Sequence, residues 1–160
     1  MRTEQITIYK FNELSESAQE RAIEDHRKYT EFPWNSEYQD SLSAFLSEFS
    51  VSLEWDFDAW DNFYFSFDRA DWHEAMRGRK LSEFNRDYMP TGFCADSGLW
   101  MTFCDSWKGT GDPVSAAESA LDAFFKAWKA YIEYTYSDEG IREHIECNEY
   151  EFTEDGEFWG

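Results

Sequence analysis

Positive charge is scarce in this chain. Fourteen Lys and Arg stand against 34 Asp and Glu over 160 residues, a formal net charge of −20. Such an excess disfavours direct contact with nucleic acid or an anionic membrane and favours a basic partner surface. Cysteine is also sparse: Cys94, Cys104 and Cys147 are odd in number and form no Cys-x-x-Cys pair, which argues against a disulfide framework and for a reducing cytosol. Nowhere do eighteen apolar residues run together, and Met1–Phe11 holds no apolar run of signal length, so neither a spanning helix nor a standard export signal is expected. No internal repeat and no low-complexity segment is present. The glycines of Lys108–Pro113 lack both phosphate-loop spacings, and no nucleophile-elbow pattern occurs.

Aromatic residues are abundant instead, with 15 Phe, nine Tyr and eight Trp. Disordered acidic chains are poor in such residues, so this one is expected to fold, and its length fits a single α+β domain. Its organising stretch is Ser52–Asp71. There Leu53, Trp55, Phe57, Ala59, Phe63, Phe65 and Phe67 alternate with Glu54, Asp56, Asp58, Asn62, Ser66 and Asp68. Period two means strand, with side chains on opposite faces, and the break at Asp58–Asn62 reads as a turn. The spacing therefore predicts a hairpin with one aromatic face and one acidic face, its carboxylates about 6.6 Å apart along a strand.

Around it, Ile6 and Ile8 predict a short first strand ending near Phe11. A helix capped by Ser15 or Ser17 should follow to about Tyr29, with Ala18, Ala22, His26 and Tyr29 inward and a mixed-sign solvated outer face. Tyr38, Leu42, Phe45, Leu46 and Phe49 give a second helix its apolar stripe. A third, capped by Asp68 or Asp71, should reach Phe84 with an interruption at Gly78. It carries the only basic cluster, Arg69, Arg77, Arg79, Lys80 and Arg86, whose role is expected to be offsetting neighbouring acids. Leu99, Met101 and Phe103 alternate and predict a further strand beside the hairpin, giving an antiparallel sheet of about three to five strands with helices on its apolar face. Asp112 and Pro113 start the longest helix, expected to lie across that face with Ala117, Leu121, Phe124, Trp128, Tyr131, Ile132 and Thr135 on one side. Ser137 caps a last helix that stops near Asn148, and Asp155–Gly156 marks a closing hairpin turn.

Charge is segregated along the chain. Thr30–Asp68 holds nine carboxylates and no Lys or Arg, and Ser137–Gly160 holds nine carboxylates and only Arg142. Catalytic chemistry finds less support. His144 and Cys147, at i and i+3, could share a metal, but no second ligand pair exists, and a buried thiol beside a surface imidazole is the simpler expectation. Glu54-x-Asp56-x-Asp58 resembles a calcium loop, but Ala59 occupies the glycine position and Phe65 the closing glutamate position. Paired carboxylates could serve hydrolytic chemistry, yet in so acidic a chain close pairs arise by chance.

The opening Phe11–Ala22 (FNELSESAQERA) and the closing Ser137–Gly156 (SDEGIREHIECNEYEFTEDG) resemble a family of small, mostly uncharacterised bacteriophage accessory proteins. Relatives often carry a Gln-Gly-Asp-Gly loop, for which the nearest piece here is Gly109–Asp112. The resemblance implies a phage setting and the host cytoplasm, and supplies no catalytic residues. In composition the chain is similar to phage anti-restriction and anti-CRISPR proteins that imitate DNA. The expected function is thus that of a non-enzymatic inhibitor, without a cofactor or metal, whose acidic surface occupies the basic nucleic-acid groove of a CRISPR effector or restriction enzyme. Its expected contacts are Glu54, Asp56, Asp58 and Asp61 with Trp60 and Tyr64 as aromatic anchors, and Glu143, Glu146, Glu149, Glu151, Glu154 and Asp155 in the second block. Homodimer formation through a sheet edge or the long helix is a further expectation. The alternatives are a metal-dependent enzyme built on carboxylates or on His144 and Cys147, and an accessory protein that binds another host protein.

Overall fold

Short-range signals in the sequence translate into six α-helices and four short strands in a computed structural model of the protein, which describes residues 6–58 and 62–160. The α+β class is as expected. The described strands form two separate antiparallel pairs, and the chain divides into two compact units. One comprises the residues up to Phe32 together with Tyr131–Gly160, the other Pro33–Ala130. Among the described residues no helix is long and apolar enough to cross a membrane.

In the terminal unit, strand β1 (Tyr9–Lys10) pairs with β4 (Glu151–Phe152), Tyr9 opposite Phe152 and Lys10 opposite Glu151. A 3₁₀ turn, Phe11–Glu13, leads into α1 (Glu16–Arg27). The Ser15 hydroxyl oxygen accepts from the Ala18 N–H and so satisfies one of the amide donors left free at the helix start. Helix α6 (Asp138–Cys147) starts the same way, with Ser137 accepting from the Gly140 N–H. Ala18, Ala22 and Ile23 of α1 join Ile141 and Ile145 of α6, with Phe11, Leu14 and Phe152, in one buried core. Two glycines permit this packing. A Cβ on Gly140 would lie 2.0 Å from the Tyr134 carbonyl oxygen, and one on Gly156, at φ +87°, 2.2 Å from that of Ala18. Helix α1 ends at Arg27, so Tyr29 is not on its inner face as expected but 84% exposed.

In the central unit, α2 (Asn35–Phe49) buries Tyr38, Leu42, Phe45 and Phe49, while Leu46 is half-buried. The hairpin forms as expected from β2 (Glu54–Asp58) and β3 (Asn62–Ser66), with Trp55 opposite Phe65 and Asp56 opposite Tyr64. Its apolar face lies on α5 (Pro113–Tyr136), the longest helix. Trp55 packs 5.4 Å from Trp128, and Phe65 stacks 5.1 Å from Phe125, between ring centroids. Asp112 starts α5 by accepting from the Val114 N–H at 3.0 Å. Burial of each such aromatic side chain contributes about 1.5–3 kcal/mol. Tyr131, expected on the inner face of α5, is instead 56% exposed.

Two further expectations are corrected. Helix α3 (Arg69–Ala75), capped by Asp68, stops before Gly78, which takes φ +76°, and only a 3₁₀ turn follows at Leu81–Glu83. Leu99–Cys104 is not a strand; it lies within α4 (Cys94–Thr110). The alternation there was incomplete. Leu99, Trp100, Phe103, Cys104 and Trp107 are all buried, a helical spacing, whereas a strand would have turned Trp100 to solvent.

Candidate partner-binding surface

Because Trp55, Phe63 and Phe65 turn toward α5, the intervening positions of the hairpin must face away. Glu54 and Asp56 are exposed there. On the neighbouring strand the side chain opposite Asp56 is Tyr64, 63% exposed, and the one opposite Glu54 is Ser66. Directly opposed side chains have Cβ atoms about 5 Å apart, so an exposed phenol stands beside the Asp56 carboxylate. Neither Glu54 nor Asp56 has an ion-pair partner among the described residues. Asp58 pairs with Asn62 in the backbone register. Trp60 and Asp61 lie outside the described residues.

The arginines of this unit are committed elsewhere. Arg69 pairs with Glu118 at 2.5 Å, Arg77 with Glu74, Arg79 with Glu48 at 3.0 Å and Glu83 at 2.8 Å, and Arg86 with Asp105 at 2.9 Å. Arg86 thereby holds the Asp105 carboxyl below its usual range. These exposed pairs add little stability each. Their effect is on the field: the arginines neutralise acids of the helical segments, and among the described residues none pairs with Glu54 or Asp56 of the hairpin. Asp96 plays a different part. It is fully buried, and its Oδ2 accepts from the Thr91 N–H and hydroxyl, both at 2.8 Å, and from the Gly92 N–H at 3.0 Å, fastening the preceding loop onto α4.

The second acidic block is more mixed. Glu146, Glu149 and Glu154 are exposed and lack an ion-pair partner among the described residues. Glu143 accepts a 2.5 Å hydrogen bond from the Tyr134 hydroxyl, which pushes the Tyr134 pKa up to about 12. Glu151 pairs with Lys10 at 3.2 Å, and Asp155 with Arg21 at 2.6 Å. The Thr153 hydroxyl and Arg21 together hold the Asp155 carboxyl low. Half of the six expected contacts are therefore already engaged within the protein, Glu151 and Asp155 by cations from the other end of the chain and Glu143 by a hydroxyl nine residues away. Glu149 also takes φ +54°, the left-handed conformation just past the end of α6.

Sequence reasoning missed two features of the terminal unit. Glu16, Glu20 and Glu24 stand one turn apart on α1 and, with Asp138 and Arg142 of α6, line a cavity of about 410 Å³. A second cavity, about 310 Å³, is lined chiefly by aromatic rings from residues 26–29 and 150–158. The interval-four glutamates were a readable signal, whereas the aromatic cavity depends on pairing the two ends of the chain. His144 is exposed, its ring 5.2 Å from that of His26, and Cys147 is exposed rather than buried as expected; the buried thiol is Cys104. Burial, and then His144, depress the His26 pKa, while burial raises that of Cys104. Among the described residues no three His, Cys, Asp or Glu form a group that could hold a metal ion. Comparison of the chain with protein-family models, with curated proteins and with solved structures finds no match.

Proposed function

We propose that this protein is a phage-encoded inhibitor that binds the basic nucleic-acid groove of a host defence nuclease or CRISPR effector, offering carboxylates where the target expects phosphates. The observation that carries the reading is the outer face of the β2–β3 hairpin. Glu54 and Asp56 are exposed beside the exposed Tyr64 and have no ion-pair partner among the described residues, while the arginines of the same unit are consumed in internal ion pairs. Carboxylates about 6.6 Å apart along a strand approximate every second axial step of a DNA strand, whose phosphates are spaced about 3.4 Å apart. Lys and Arg arranged for phosphates accept such a row, and Tyr64 supplies an aromatic anchor of the kind that dominates interface energetics. Glu146, Glu149 and Glu154 offer further exposed carboxylates to the same target. The resemblance of both termini to phage accessory proteins supports the setting.

The test is affinity capture from host lysate at low and raised salt. A single nucleic-acid-binding complex, released by salt and displaced by DNA or guide-loaded substrate, is the expected result. Neutralising Glu54 and Asp56 should weaken capture in steps, because a charge row loses affinity gradually and a catalytic carboxylate does not.

A further inference from the structure

The cavity of about 310 Å³ in the terminal unit has a lining unlike that of the acidic surface around it. Tyr150 and Phe158 meet edge to face, 5.2 Å between centroids and 78° between planes, and so form two perpendicular walls. Phe152 closes the base at 6.1 Å from Phe158. Tyr29, 84% exposed, stands at the mouth, and Phe158 is itself 56% exposed. Asp25 and His26 supply the polar rim. Aromatic walls would suit an apolar guest, but three observations favour a cation. Aromatic faces carry negative potential and attract ammonium or guanidinium groups, best when several rings surround the charge. The Asp25 carboxyl is held below its usual range by Lys28, so it is ionised at neutral pH. The unit as a whole carries seventeen carboxylates against six Lys and Arg. Asp25 pairs with Lys28 at 2.7 Å and with Arg21 at 3.7 Å, both exposed pairs within α1 and its end, and a competing cation displaces such pairs at little cost.

We infer that this aromatic cavity is a receptor for one cationic side chain, an arginine or lysine projecting from a basic partner protein, with Tyr29, Tyr150 and Phe158 around the charge and Asp25 at its edge. The inference rests on the partner being basic, as proposed above, and it adds a specific anchor point to what is otherwise a diffuse attraction of charge. Its position on the terminal unit gives that unit a contact distinct from the hairpin face of the central one.

Butylguanidinium tests this directly, with the full-length protein and no partner, by NMR titration of the aromatic and backbone resonances of Tyr29, Tyr150 and Phe158; butylurea is the neutral isostere. The expected result is saturable, millimolar binding of butylguanidinium at this cavity, with butylurea at least about fivefold weaker. Tyr29→Ala, at a side chain too exposed to support the core, should weaken the cation about two- to fivefold, and Asp25→Asn should weaken it as well. Equal or tighter binding of butylurea would overturn the inference in favour of an uncharged guest. Absence of saturable shifts would overturn it outright, and shifts that depend on protein concentration would assign the cavity to a second copy of the chain. The titration is independent of lysate capture. Failure here with capture intact rejects the pocket alone, and the reverse rejects the basic-groove target alone.

Discussion

Replacing Gly156 by Ala isolates the contact on which the terminal unit closes. Gly156 sits in the turn after β4 at φ +87°, a conformation that L side chains rarely adopt, and its Cβ would meet the Ala18 carbonyl oxygen at 2.2 Å, the carbonyl carbon at 3.0 Å and the Cα at 3.2 Å. These atoms are backbone in the first turn of α1, whose inner side chains form the core with α6, so no flexible side chain can yield. Gly111 is the natural control, at φ +74° with nothing within 4 Å of the position a Cβ would take. Gly111→Ala should cost only the backbone term, about 1–2 kcal/mol. Gly156→Ala adds an overlap of more than 1 Å with backbone, comparable to severe overpacking, and should cost about 3–5 kcal/mol in total. Urea unfolding followed by far-ultraviolet circular dichroism, with both variants side by side, reads the difference. A Gly156→Ala variant within about 0.5 kcal/mol of Gly111→Ala would refute the packing of the C-terminal hairpin against α1.

The depressed pKa of His26 makes stability depend on pH. The unfolded chain binds the proton more readily, so the stabilisation is complete above the usual imidazole value of 6.5 and is lost as pH falls from there through the lower folded value. Urea midpoints should decline between pH 7 and 5.5, and the decline should flatten in His26→Gln; an unchanged slope would contradict the burial of His26 against His144 and Tyr150. Ser50 and Glu149 both hold φ +54° just past helix ends, so Ser50→Gly and Glu149→Gly should each raise stability by up to about 1 kcal/mol, measured by denaturant unfolding. Tyr134 should ionise only near pH 12 in a phenolate absorbance titration referenced to Tyr134→Phe, and Glu143→Gln should bring it down.

Local chemistry was the legible part of this sequence. Helix starts are announced locally because a cap needs only the next three residues: Asp112 and Ser137 cap as read, and of the alternatives Ser15 or Ser17 and Asp68 or Asp71 the structure uses Ser15 and Asp68. Alternation exposed the hairpin and its acidic face, since one face is buried on α5 and the other is not. The same signal misled at Leu99–Cys104, where a helix buried across much of its circumference has too many apolar residues for either period to stand out. Pairing across the chain was not legible. Nothing local brings Lys10 to Glu151 or Arg21 to Asp155, yet those contacts decide which carboxylates of the second block remain free. The aromatic cavity escaped for the same reason, because its walls come from residues 25–29 and 150–158, which no window spans together.

The account stands most directly on one comparison: capture of host proteins by the wild-type chain and by the double variant Glu54→Gln, Asp56→Asn, at low and raised salt. Both side chains are exposed and have no ion-pair partner among the described residues, so the variant should fold with stability within about 0.5 kcal/mol of the parent. The account expects one nucleic-acid-binding complex to be held by the wild type, released by salt and displaced by DNA, and to be held markedly less well by the variant. Capture of that complex by the variant with undiminished affinity, or no saturable capture by either form, would contradict it.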